Sequence, residues 1–141
     1  MGVGDGIWAA DRMAALAAAG YTHIVDLQAE FDDTALGRQF GIEVLWNPTL
    51  DDFQPKEPAF FQRSVDFTLA ALRFPENRVY IHCAAGVHRA PLTAAAVLCH
   101  LGYDVDAAIA LIRLRRSVAD FPSVYVESLR AYIASAVVEE S

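Results

Sequence analysis

Two cysteines in 141 residues, Cys83 and Cys99, are too few for a disulfide scaffold, and they fit a reducing compartment better than an oxidising one. Basic charge is also scarce. Eleven Lys and Arg face 18 Asp and Glu, a net charge of −7, which argues against nucleic acid or an anionic membrane as the main partner. No apolar run reaches the roughly eighteen residues that a membrane span needs, so no stable membrane insertion is expected. The opening Met1-Gly2-Val3-Gly4-Asp5-Gly6 lacks the basic start and apolar stretch of a secretory signal, which makes a cytoplasmic location the expectation. Repeats, long linkers and low-complexity tracts beyond alanine enrichment are missing too. With 55% apolar residues, the chain reads as one folded domain over 1–141 rather than a disordered one.

Hydrophobic spacing divides the chain into alternating strands and helices. Ile7-Trp8 reads as an early edge strand, 11–19 as a helix stopped by Gly20, and His23 to Leu27 as a strand. A short helix over 34–40 stops at Gly41, and Ile42 to Trp46 is a further strand. Asn47 to Pro58, rich in Pro and Asp, is expected as a loop before a helix over 59–73. Arg78 to Ile81 reads as a short buried strand, followed by a small-residue helix ending at Gly102. Asp104 is placed to cap a helix running to about Ser117, and Ser123 to cap a last helix through Leu129, Ile133 and Val137, with a loose tail at Glu139-Glu140-Ser141. This order implies an α/β three-layer sandwich with a central, mostly parallel sheet flanked by helices and ligands at the C-terminal ends of its strands.

One such end is the segment His82-Cys83-Ala84-Ala85-Gly86-Val87-His88-Arg89. A strand, a tight loop and a helix in that order aim backbone N–H groups and the positive helix end at one point, which is an anion site. The amides of Ala84, Ala85, Gly86, Val87 and His88 are the candidate phosphate-binding groups. Cys83 and Arg89, at the two ends of the loop, become a nucleophile and a cation facing the same oxyanion. Gly86 permits the positive φ that such a loop needs. A core-cysteine reading of Cys83 gives no reason for His82, Gly86 and Arg89 to stand around it.

The Cys-x5-Arg pattern, with His before the Cys and Gly within it, resembles the signature of the protein tyrosine phosphatase superfamily. Attack by a thiolate on a phosphate ester calls for an acid to protonate the departing oxygen. Asp51 and Asp52, in the loop after the 42–46 strand, both stand at the right sheet edge. From Ile42 to about Leu129 the chain is similar to the small dual-specificity phosphatase branch. That branch places its acid at the first Asp after a short apolar turn, and the resemblance therefore implies Asp51. It also implies that His82 supports the loop by hydrogen bonding, that no cofactor or metal takes part, and that the substrate is a phosphorylated protein or a small phosphomonoester.

One departure stands out. The family usually carries Ser or Thr after the signature Arg, to stabilise the thiolate when it leaves, and this chain has Ala90. That keeps a catalytically weak phosphate-binding module as an alternative, beside a phosphatase acting on a phosphorylated lipid. Sulfur transfer or arsenate reduction on a similar loop is a further enzyme class, the latter limited by Cys99 being the only second cysteine. Uncharged Ala84, Ala85 and Val87 tilt the substrate toward a singly phosphorylated group. Cys99-His100 with His82-Cys83 has the wrong spacing for a zinc ribbon or finger.

Overall fold

The computed structural model describes residues 1–140, with side chains through Ala136; the Val137 side chain and Ser141 lie outside the described residues, and the backbone of Glu139 and Glu140, expected in a loose tail, is helical. Ten elements follow one another: β1 (Gly2–Gly4), α1 (Ala10–Ala18), β2 (His23–Gln28), α2 (Thr34–Gln39), β3 (Glu43–Thr49), α3 (Pro58–Leu72), β4 (Val79–His82), α4 (Arg89–His100), α5 (Val105–Arg115) and α6 (Ser123–Glu140). The strands form one sheet in the order β1-β4-β2-β3, and every pairing among them is parallel.

Side-chain alternation along the strands sorts the core into two layers. Ile24 and Tyr80 are neighbours in register and face α1 and α2, where they meet Ile7, Met13, Leu16 and Ile42. Val25, Leu27, Val79 and Ile81 face the other way and pack against Phe61, Val65, Leu92, Tyr125 and Leu129 of α3, α4 and α6. The three-layer sandwich expected from the sequence is therefore the fold. Among the described residues, no helix is long and apolar enough to cross a membrane.

Several local expectations hold in chemical detail. Gly20 takes φ +90° just past α1, where its amide bonds Ala17 O at 3.0 Å and the next amide bonds Leu16 O at 3.1 Å, closing the helix end. Asp104 Oδ1 accepts the Ala107 amide at 2.7 Å and so caps α5.

Others are corrected. The first strand is Gly2–Gly4, not Ile7-Trp8, because a parallel edge strand can be specified by its partner's ladder alone. Ile7 is buried in the α1 and α2 layer, and Trp8 adopts φ +59° with half its surface exposed. β3 runs on through Asn47 and Pro48 to Thr49, residues expected in a loop; on an edge strand a proline's missing N–H costs no ladder bond. Buried Asn47 donates to Phe60 O at 2.9 Å and shares a hydrogen bond with Ser64 Oγ, which ties this strand end to α3. Ser123 is the first residue of α6 rather than its cap, and the Pro122 carbonyl receives the Tyr125 and Val126 amides, each at 3.0 Å.

Candidate active site

The segment between β4 and α4 is held by its carbonyls. Ala84 O accepts from the Gly6 amide at 3.0 Å and Val87 O from the Asp120 amide at 2.8 Å. Arg116 takes the two between them, with Nε on Gly86 O at 2.8 Å and Nη2 on Ala85 O at 3.3 Å. Among the described residues, none of the amides of Ala84 to His88 donates to a protein acceptor. Carbonyls turned outward and amides left over is the geometry of an anion nest. Gly86 makes the turn at φ +67°; a Cβ there would lie 2.4 Å from Arg116 Nη2 and 2.7 Å from the Gly4 carbonyl.

Cys83 lies at the bottom of this ring and is 2% exposed. Its amide donates to Gly4 O of β1 at 3.4 Å. Its Sγ accepts the Ala90 amide of the first α4 turn, also at 3.4 Å, and no side chain caps that helix start. The positive end of α4 thus points at the sulfur. The Thr93 hydroxyl, one turn further on, is buried without a hydrogen-bond partner, so it makes no hydrogen bond to the sulfur.

Arg89 is buried, and its fork is already partly used. Nη1 and Nη2 grip Glu30 at 2.8 and 2.9 Å, and Nη1 also donates to Thr49 O at 2.8 Å. This arrangement leaves the edge made by Nε–H and the second Nη2 hydrogen, and Nε is buried without a protein partner. The guanidinium therefore offers phosphate its side rather than its tip. Burial acts to lower the Arg89 pKa, but the Glu30 bonds and the charges of Cys83, Glu30 and Asp51 outweigh it and the net shift is upward. In turn the Arg89 bonds hold Glu30 below the usual carboxylate range.

The two neighbouring acids face different partners. Asp51 Oδ2 lies 2.9 Å from His88 Nδ1, and its Oδ1 accepts the Tyr125 hydroxyl at 2.9 Å. Asp52 instead takes Lys56 Nζ and the Gln54 amide, both at 3.1 Å, and the Lys56 bond holds it below the usual range. Asp51 is thus the one joined to the loop.

Beneath the loop, strand register sets Asp26 beside His82. The His82 ring is buried between Asp26 (3.7 Å) and Asp33, with which it forms a short contact. Asp26 also accepts the Gln28 and Asp33 amides. Among the described residues, these three form the one group of His, Cys and carboxylate donors close enough to hold a metal; Asp26 spends its oxygens on amides, while Asp33 Oδ1 and His82 Nδ1 are buried without a hydrogen-bond partner. His100 is elsewhere, bonded to Tyr132 Oη at 2.9 Å.

Burial, followed by the Asp33 charge, pushes Asp26 up to about 7, against the pull of His82 and two amides. A carboxyl raised by folding stabilises the fold most below its unfolded value of about 4, and that contribution disappears as pH rises through the folded value. Denaturant midpoints are therefore expected to fall between pH 5 and pH 8, and Asp26→Asn is expected to flatten that fall. An equally steep fall in the variant would place the linked proton elsewhere.

Residues 8–134 match the model of the dual specificity phosphatase catalytic domain. The chain belongs to that family. Solved dual-specificity-like phosphatases share the fold. PTPMT1 in complex with PI(5)P superposes with a TM-score of 0.86 at 18% identity, covering 98% of this chain and 92% of that one. Human DUSP28 gives 0.83 at 24% identity, with 99% and 94% covered. Tk-PTP in its active form gives 0.77 at 21%, with 89% and 86% covered. A search of curated proteins finds no match.

As a dual specificity phosphatase domain the protein is a cysteine-dependent phosphoric monoester hydrolase, and its loop departs from the usual chemistry in one place. Where the family hydroxyl is missing at Ala90, the backbone amide of that same residue is the donor that reaches the sulfur. Four residues around the loop were not singled out by sequence: Glu30, Asp120, Arg116 and Tyr125. Glu30 lies just past the C-terminal end of β2, the ligand side of a parallel sheet, and that position was the one available signal. Arg116, just past the end of α5, braces the loop from behind.

Proposed function

We propose that Cys83 is the nucleophile, that Arg89 and the amides of Ala84, Ala85, Gly86, Val87 and His88 bind the phosphoryl group, and that Asp51 is the general acid, all within one catalytic domain over 1–141. The observation that carries this reading is the ring of unspent amides around the Cys83 sulfur. The thiolate attacks phosphorus, the bond to the ester oxygen breaks, and that oxygen takes the Asp51 proton. Water then attacks the phosphocysteine, Asp51 takes back a proton, and the sulfur leaves with its electron pair. The amides and the free edge of Arg89 carry the charge of both transition states. His82 holds the loop from below through its carboxylate partners.

Phosphotyrosine or phosphoserine/threonine of proteins is the substrate class the site favours. Ala84, Ala85 and Val87 bring no cation to the loop, and Asp51 and Asp120 flank His88 within it, so a second phosphate would find repulsion. The PI(5)P seen with PTPMT1 makes a phosphorylated lipid the alternative. A reducing compartment such as the cytoplasm suits an enzyme that needs a free thiolate.

The test is a burst. With Ala90 offering no hydroxyl to the departing thiolate, breakdown of the phosphocysteine is expected to be the slow step for a good aryl leaving group. Stopped-flow traces should show phenol release comparable to the enzyme concentration and then a slower linear phase. Acid quench at the end of the burst should locate phosphate on the Cys83 peptide. Ala90→Ser should speed the linear phase more than the burst. Phosphate on another residue would remove Cys83 from the reaction.

A further inference from the structure

The segment that carries Asp51 joins β3 to α3, and α6 holds it at two points. At its far end the Lys56 amide donates to Ser128 Oγ at 2.9 Å. At its near end the Tyr125 hydroxyl makes two bonds at once, accepting the Phe53 amide at 3.0 Å and donating to Asp51 Oδ1 at 2.9 Å. A hydroxyl can give and receive, so the tie to Asp51 stands whether that carboxyl is charged or protonated. Tyr125 is fully buried and packs in the core of α3, α4 and α6, which makes it the fixed partner of the pair. Lys56 closes the segment over the same ring, with Nζ 5.2 Å above the Tyr125 centroid and donating to Leu50 O at 2.6 Å.

Phe53 is held in a conformation that its side chain disfavours. Its φ is +56°, in the left-handed region where a β-carbon crowds the following carbonyl; among the described residues, Trp8 is the one other non-glycine residue there. Half of Phe53 is exposed, so core burial does not hold it. Tyr125 does, through the amide bond and through a ring stack at 5.8 Å and 6° from parallel, with the His88 ring edge-on at 5.2 Å. Strained backbone persists where its neighbours over-determine it. This turn comes two residues after Asp51 and sets the path of the chain behind the acid.

We infer that Tyr125 is the latch of the general acid, its hydroxyl holding Asp51 against the phosphate loop both by bonding Oδ1 and by fixing the strained Phe53 turn. The inference rests on the reading of Asp51 as the acid. Tyr125 is a positioning residue, since it acts through Asp51 and not on the reacting atoms. Burial pushes its pKa up to about 12, so the hydroxyl keeps its proton throughout the neutral range.

Tyr125→Phe keeps the ring and its stack and removes one oxygen. Leaving-group dependence reads the result, because phenolate needs a proton to depart and p-nitrophenolate does not. The quantity to compare is kcat/KM, which ends at the first phosphoryl transfer and is not masked by slow breakdown of the phosphocysteine. At the plateau of the pH profile it is expected to fall about tenfold for phenyl phosphate and to stay within about twofold of wild type for p-nitrophenyl phosphate. The rise of Tm with inorganic phosphate should be unchanged, because the loop amides are untouched. Ser128→Ala, which removes the other tie to α6, should stay within about twofold of wild type on both substrates. Equal losses on the two substrates, loss on neither, or a displaced alkaline limb with the plateau intact would overturn the inference. So would a Ser128→Ala loss as large as that of Tyr125→Phe, which would make the effect one of segment docking at large. Asp51→Asn, measured alongside, separates the two ideas. If it shows selective loss on phenyl phosphate and Tyr125→Phe does not, only the latch falls. If it shows no leaving-group dependence, the assignment of the acid falls and the latch with it.

Discussion

Cys83→Ser is expected to bring hydrolysis of p-nitrophenyl phosphate down by on the order of 10⁴-fold or more, to the uncatalysed background. A serine hydroxyl in that place has no base to take its proton, since the group aimed at the sulfur is a donor, the Ala90 amide. The anion nest itself survives, because its amides are set by contacts to Gly6, Arg116 and Asp120 that do not involve the sulfur. The variant should therefore still bind inorganic phosphate, read as a rise in Tm with phosphate concentration. Undiminished turnover would end the cysteine mechanism. Loss of both turnover and phosphate binding would mean that the sulfur shapes the loop rather than attacks.

Arg89→Lys carries the second large effect. The guanidinium makes three bonds at once, two to Glu30 and one to Thr49 O, and still presents a free edge to the anion site. An ammonium has three donors on one atom and no edge, so it cannot grip both Glu30 oxygens and two phosphate oxygens together. A loss of at least about tenfold in kcat/KM is expected, equivalent to about 1.4 kcal/mol of transition-state stabilisation. Glu30→Gln should move in the same direction by less, as it loosens the orientation of the fork without removing it. A near-normal Arg89→Lys would place this side chain outside phosphate binding.

The loop from His82 to Arg89 is legible in the sequence because its chemistry is contiguous. A short apolar strand, a glycine at the turn and a small-residue helix fix where the amides and the sulfur must point. The same holds for the two core layers, which follow from alternation along β2 and β4. What sequence does not show is the ring of single residues that arrive from separate elements. Glu30 reaches Arg89 from the end of β2, Arg116 reaches Gly86 from the end of α5, and Asp120 reaches His88 from the segment before α6; no spacing rule links any of these pairs. Asp26 and His82 are an intermediate case. Once β2 and β4 are known to be parallel neighbours, register alone sets them side by side. β1 was misplaced for a different reason: Gly-Val-Gly carries no strand pattern, and its pairing comes from β4.

The sheet order also differs from the chain order, so its pairings span very different lengths of chain. β2 and β3 are close in the chain and can pair early, which leaves the far side of β2 as an open template. β4 fills that side, joining His23 to Val79, and β1 pairs with β4 alone, joining Gly2 to Tyr80. Contacts between such distant residues are slow to form, because their loops close at an entropic cost before any bond is gained. The Gly4 carbonyl that receives the Cys83 amide belongs to this outer strand, which the sheet holds through β4 alone. The nucleophile's loop therefore leans on the pairing of greatest sequence separation in the sheet, Gly2 with Tyr80.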